Sequence, residues 1–91
     1  MGDLQQKLAE IQRAVRSMAL EFDVHARQRM RQRQVTEWDV ESVIRDATAI
    51  RQSDEDHVSD WTLTGPDADG DDLEVGVRLR LAGNVYVVTV Y

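Results

Sequence analysis

The chain has 91 residues, 42% hydrophobic and 31% charged, with 11 Lys and Arg against 17 Asp and Glu, giving a formal charge of −6. This is the composition of one small globular domain. It has no cysteine, which excludes a disulfide scaffold, a thiolate-held metal and a cysteine nucleophile; no apolar run reaches the ~18 residues of a membrane span, and without a basic-then-apolar secretory start the expected location is the cytoplasm.

Charge is unevenly spread. Residues 1–34 carry Lys7, Arg13, Arg16, Arg27, Arg29, Arg31 and Arg33 against Asp3, Glu10, Glu21 and Asp23, whereas residues 35–91 are strongly acidic. Either this split keeps solvated faces soluble, or the basic front is an electrostatic docking surface.

Residues 4–22 predict a first helix. Leu4, Leu8, Ile11, Val15, Met18 and Phe22 recur at alternating spacings of four and three, which draws one apolar seam along a helix. The seam has two outlets: the chain's own sheet, or a second chain in a homo-oligomer or heteromer.

Asp23 is an N-cap candidate for a second helix at roughly 24–33. Ala26 and Met30 then face inward, His25, Arg29 and Arg33 form a parallel stripe, and Arg27 and Arg31 face solvent. Four arginines at alternate positions are spread over two helix faces, so they serve as salt-bridge partners as readily as nucleic-acid contacts. Thr36 with Asp39 reads as a capping box opening a third helix over 37–47. Its apolar face is Trp38, Val40, Val43, Ile44 and Ala47.

Beyond Ala47 the texture changes to strands: Thr48–Gln52, Val58–Gly65, residues 73–81 and Val85–Tyr91. Gly83-Asn84 reads as a two-residue hairpin turn. That turn pairs Ala82 with Val85, Leu81 with Tyr86, Leu79 with Val88 and Val77 with Val90 on the core face. On the outer face it pairs Arg80 with Val87, Arg78 with Thr89 and Gly76 with Tyr91, which gathers two arginines, a hydroxyl and a phenol.

Two metal readings fail on spacing. The run from Asp67 to Asp72 places Gly70 at position four and Arg78 at position twelve, where an EF-hand loop needs Gly at six and Glu at twelve. His57 beside Asp54, Glu55 and Asp56 reads as a surface histidine. Phosphate-cradling glycine loops and a nucleophile elbow are absent from the sequence.

The pattern His25-Ala26-x-x-Arg29-Met30-x-x-Arg33, then Val35, Asp39 and Val40, then the closing Val-Val-Thr-Val-Tyr, resembles a bacterial domain family of unknown function grouped with the BrnT and RelE/ParE type toxins. The resemblance covers about residues 23–91. It divides the chain into an amphipathic helix, 1–22, and a RelE/BrnT-like domain, 23–91. The fold implied is α+β, with N-terminal helices packed on a C-terminal, four-stranded, mostly antiparallel twisted sheet.

The function implied is that of a toxin-type domain of a toxin–antitoxin system, a ribonuclease (mRNA interferase) with RNA as substrate and an antitoxin-type protein as partner. No cofactor or metal is implied. Such a site must move a proton from a ribose 2′-OH and hold a phosphate as its charge develops. His25 suits the proton transfer, since imidazoles titrate near neutrality. Arg29, Arg78 and Arg80 suit phosphate, and Tyr91 suits base stacking or a phenolic proton. The plainer alternative is that His25 and Arg29 tie helix to sheet and Tyr91 caps the sheet.

Two features depart from the family pattern. Gln34 stands where glycine would ease a left-handed turn. The chain also has a single lysine, Lys7, and only Arg51, Arg78 and Arg80 in its sheet portion. Lysine poverty favours a second function: a non-catalytic interaction module on the same scaffold, associating through the N-terminal helix.

Overall fold

Residues that alternate apolar with polar build a sheet with one dry face, and three helices cover that face. The computed structural model describes residues 3–17, 19–54, 59–80 and 82–91. In chain order the elements are α1 (Asp3–Arg16), β1 (Leu20–Phe22), α2 (Val24–Arg33), α3 (Glu37–Arg45), β2 (Ala49–Gln52), β3 (Trp61–Pro66), β4 (Asp72–Leu79) and β5 (Val85–Val90). The sheet order is β1-β5-β4-β3-β2, antiparallel except for β1, which runs parallel to β5. Among the described residues no helix is long and apolar enough to cross a membrane.

The sheet therefore has five strands and is mixed, where the sequence suggests four. The extra strand comes from the tail of the expected 4–22 helix. That helix stops at Arg16, and the Ala19 N–H reaches back 3.0 Å to the Ala14 C=O. Val85 N–H then donates to Ala19 C=O and Asp23 N–H to Val87 C=O. For residues 20–22, another helical turn would forgo this pairing along the edge of β5. Phe22 thus belongs to β1, and Met18 lies outside the described residues.

Leu8, Ile11 and Val15 of the α1 seam are buried in the chain's own core, against α3 and over toward β2 and β5. Leu4 at the seam's start stays exposed. Gln12 Nε2 donates to the C=O groups of Ile44 and Arg45 at 3.2 and 3.1 Å, so α1 is tied to the last turn of α3.

The two predicted caps are present. Asp23 Oδ2 accepts from the His25 N–H, and Thr36 with Asp39 forms a reciprocal capping box. Ala26 and Met30 are the buried residues of α2, which packs on β5. After Arg33 the chain reverses through Gln34 at φ 58° and ψ 40°. Val35 N–H then closes onto Met30 C=O at 2.8 Å.

The β4–β5 register differs from the one a two-residue turn dictates. The hairpin closes with Arg80 N–H on Asn84 C=O and Gly83 N–H on Arg80 C=O. Leu79 therefore faces Val85 and Arg78 faces Tyr86. Between Gly76 and Val77 the register slips, leaving Val88 as the extra residue of a β-bulge. The bulge lets Val85, Val87 and Val90 all turn to the dry face, where each is fully buried. Tyr86 accordingly leaves the core face and joins the opposite one. Leu81, one of the expected core partners, lies outside the described residues.

One glycine is demanded by packing. A Cβ on Gly65 would lie 2.5 Å from the Val43 C=O oxygen and 2.9 Å from Ala47 Cα, so α3 rests directly on β3 there. Gly65→Ala is expected to lower stability by about 1–3 kcal/mol through overpacking against rigid backbone. Gln34→Gly is expected to raise it by about 0.5–1 kcal/mol, relieving a left-handed residue net of unfolded-state entropy. Urea midpoints of the two variants check both signs.

Candidate functional site

The residues with chemistry gather where the chain leaves the sheet edge to enter α2. Glu21 faces Tyr86 across the β1–β5 pair, so the side of the sheet away from the helices carries both. Two residues further on, Asp23 uses its two oxygens differently. Oδ2 accepts the His25 N–H at 3.1 Å, and Oδ1 accepts the Tyr86 hydroxyl at 2.9 Å. Arg80 lies over the Tyr86 ring, with Cζ 4.2 Å from its centroid, a cation–π contact. Asn84 Nδ2 donates to Glu21 Oε2 and ties the hairpin to β1.

The electrostatics follow from these contacts. The Tyr86 hydrogen bond holds the Asp23 carboxyl below its usual range, with the His25 and Val24 N–H groups helping and partial burial opposing. The same bond pushes the Tyr86 phenol up, aided by desolvation and the Asp23 charge and opposed by Arg80. At neutral pH Tyr86 is therefore a proton-bearing donor and Asp23 a carboxylate.

His25 is exposed in the first turn of α2, next to Asp23. Arg29 is exposed one turn later and has no ion pair or hydrogen bond from its side chain among the described residues. Arg31 and Arg33 continue the exposed basic run, and α2 contains no acidic residue. Arg27 is the exception: its Nη1 is 2.9 Å from Glu37 Oε2, and its guanidinium caps the Phe22 ring.

The outer-face patch expected from the hairpin is divided. Arg78 faces Tyr86 in the register, but its Nε lies 3.8 Å from Asp60 Oδ2, turned toward β3. Tyr91 is half-buried, with its N–H on the Glu74 C=O. Glu74 and Arg80 are six residues apart on the strand, so Tyr91 and Arg80 stand about 20 Å apart along it. The cause is the shifted register, which moves Tyr91 away from Gly76. Arg80 alone of the sheet-side candidates joins the α2 end of the molecule.

Sequence reasoning assigns Asp23 only a capping role and places Tyr86 in the core. The Tyr86 phenol sits in a run of valines whose parity a bulge reverses, and nothing in the sequence marks that bulge. Among the described residues no three His, Asp or Glu side chains group as a metal site, and His57 lies outside them.

A family described as a domain of unknown function (DUF4258) matches residues 22–91. The match begins inside β1, and α1 precedes it. No curated protein and no solved structure matches the chain.

The capping carboxylates give a pH test. Asp39 is held below its ordinary value first by the Thr36 N–H, then by the Ala68 N–H and the Thr36 hydroxyl, with burial opposing. A carboxyl with a lowered folded-state pKa contributes stability above its unfolded value, and that contribution disappears as pH falls through the folded value. The urea midpoint is expected to fall from about pH 5 to about pH 2, and less steeply for Asp39→Asn than for the parent. Equal slopes would show that this carboxylate does not couple folding to protons.

Proposed function

The chain belongs to the DUF4258 family, and on that premise we propose that it is a RelE/BrnT-like toxin-type domain that acts on RNA. The observation that carries the reading is the surface of α2. His25, Arg29, Arg31 and Arg33 are exposed on a helix without a single carboxylate, and the N-cap of that helix, Asp23, holds the Tyr86 on which Arg80 lies. A phosphodiester requires cations around its oxygens and a group that moves a proton.

In this reading His25 removes the proton from a ribose 2′-OH. The resulting oxygen attacks the adjacent phosphorus, the 5′-oxygen leaves with the proton that the His25 imidazolium returns, and a 2′,3′-cyclic phosphate remains. Arg29 and Arg80 hold the phosphate. Tyr86, whose one hydroxyl hydrogen is held by Asp23, orients Arg80. Arg78 and Tyr91 fall outside this arrangement.

A second reading is favoured by a different observation. Val24 and Trp38 are 75% and 69% exposed, and the Arg27–Glu37 pair links their two helices. Exposed apolar side chains beside a cationic helix suit docking of an acidic, antitoxin-type protein or a second copy, without catalysis.

Expression of the parent chain is expected to slow growth and to cleave ribosome-bound or naked RNA. His25→Ala is expected to reduce cleavage about 100-fold or more and relieve the arrest. A parent protein that leaves both RNAs intact and growth unaltered would sink the RNA reading. Sedimentation with and without a captured protein partner would then decide on the docking module.

A further inference from the structure

A groove lies beside Arg80. It runs between α1 and the β4–β5 hairpin and has a volume of about 670 Å³, in the range of ligand-sized clefts. Lys7 and Arg13 stand on the α1 wall, Arg80 stands on the hairpin wall, and Ala14 and Leu79 supply apolar surface between them. The lining holds one acidic residue, Glu10, which Lys7 meets at 3.4 Å. Three cations against one carboxylate is a marked local excess in a chain of formal charge −6.

We infer that this groove holds the phosphate backbone of a single-stranded RNA segment leading to Arg80. The inference rests on the RNA reading above and assigns that reading a strand path. Three arguments carry it. Arg80 belongs to both the groove and the Tyr86–Asp23 cluster, so a strand in one ends at the other. Arg13 is exposed and makes no side-chain ion pair or hydrogen bond among the described residues, so it is available to phosphate. Cations over an apolar floor are what a strand presenting phosphates on one side and base faces on the other requires.

Of the other carboxylates, Asp54 lines an adjoining hollow that shares Lys7 and Leu79, and Glu21 and Asp23 sit with Tyr86. Asp60, at the same end of the sheet, pairs with Arg78. The Asp-rich connection between β3 and β4 lies at the far end of β4, eight residues and about 26 Å from Arg80. The groove also gives α1 a purpose, since α1 lies ahead of the family match while supplying two of the three cations.

The experiment is fluorescence anisotropy of the full chain with a labelled single-stranded RNA of about ten nucleotides across a salt series. Arg13→Glu is expected to weaken binding about tenfold and lower the salt slope by about one. Arg13→Lys is expected to restore most of the loss, and Arg13→Gln to fall between. Melting curves of all three, expected to match the parent's, exclude unfolding as the cause.

If the parent binds RNA and Arg13→Glu binds it equally well with an unchanged slope, the groove inference is overturned while the RNA reading stands. If the parent binds no RNA, both fall. If a poly-glutamate peptide binds instead and Arg13→Glu abolishes it, the groove is a docking site for acidic protein and the strand path is wrong.

Discussion

One carboxylate, that of Asp23, joins the two halves of this molecule. It sits where the chain passes from the edge of the sheet to the helical layer. One oxygen closes the N-terminus of α2 and the other anchors the phenol of Tyr86. The backbone is committed in the same place, because Asp23 N–H donates to Val87 C=O and ends the β1–β5 pairing. Without that anchor the Tyr86 ring under Arg80 would lose the hydrogen bond that holds its hydroxyl. An Ala at this position would remove the cap and would also leave the phenol without its partner.

The dry side of the sheet makes this arrangement affordable. Ile11, Val40, Val43, Ile44, Leu63, Val75, Val77, Val85, Val87 and Val90 are fully buried, most of them β-branched and suited to a pleated surface. On the other side the polar groups satisfy one another. Ser53 Oγ lies 2.9 Å from both Ser59 Oγ and Thr62 Oγ1, and Arg51 Nη2 lies 3.1 Å from Glu74 Oε1. Such pairing leaves much of that face chemically satisfied, and it concentrates the unpaired cations on α2 and around the α1 groove.

Elements whose signals are local are legible in the sequence. Asp23 and Thr36 with Asp39 announce helix starts because a cap needs only residues within one turn. Ala26 and Met30 are legible as core because a helix repeats its faces regularly. The strands after Ala47 are legible because alternation is itself local. The end of α1 is not, since an apolar spacing that suits a helix through Phe22 cannot reveal that β5 offers residues 20–22 a better partner 63 or more positions away, as the Glu21–Asn84 and Asp23–Tyr86 contacts show. The hairpin register is not legible either: Gly83-Asn84 fits a two-residue turn, and the three-dimensional demand for three buried valines decides otherwise. That single displacement moves Tyr86 to the side of the candidate site and removes Tyr91 from it. The candidate site is therefore half legible: its helix residues His25 and Arg29 follow from local spacing, while the Asp23–Tyr86–Arg80 contact follows from a long-range register.

An acidic chain with locally cationic surfaces is not a contradiction. At physiological salt the screening length is about 8 Å, whereas the molecule measures 35 × 26 × 24 Å. A phosphate approaching α2 or the α1 groove is therefore governed by the side chains within roughly one screening length of it, not by the total charge. Net charge sets long-range encounter and solubility; local charge sets what stays bound. Asp60 and Glu37 each occupy a neighbouring arginine, so part of the acidic excess is spent on fixing which cations stay open. What remains exposed on α2 and unpaired among the described residues is Arg29, Arg31 and Arg33, and their number bounds the salt dependence that any anionic partner can show there.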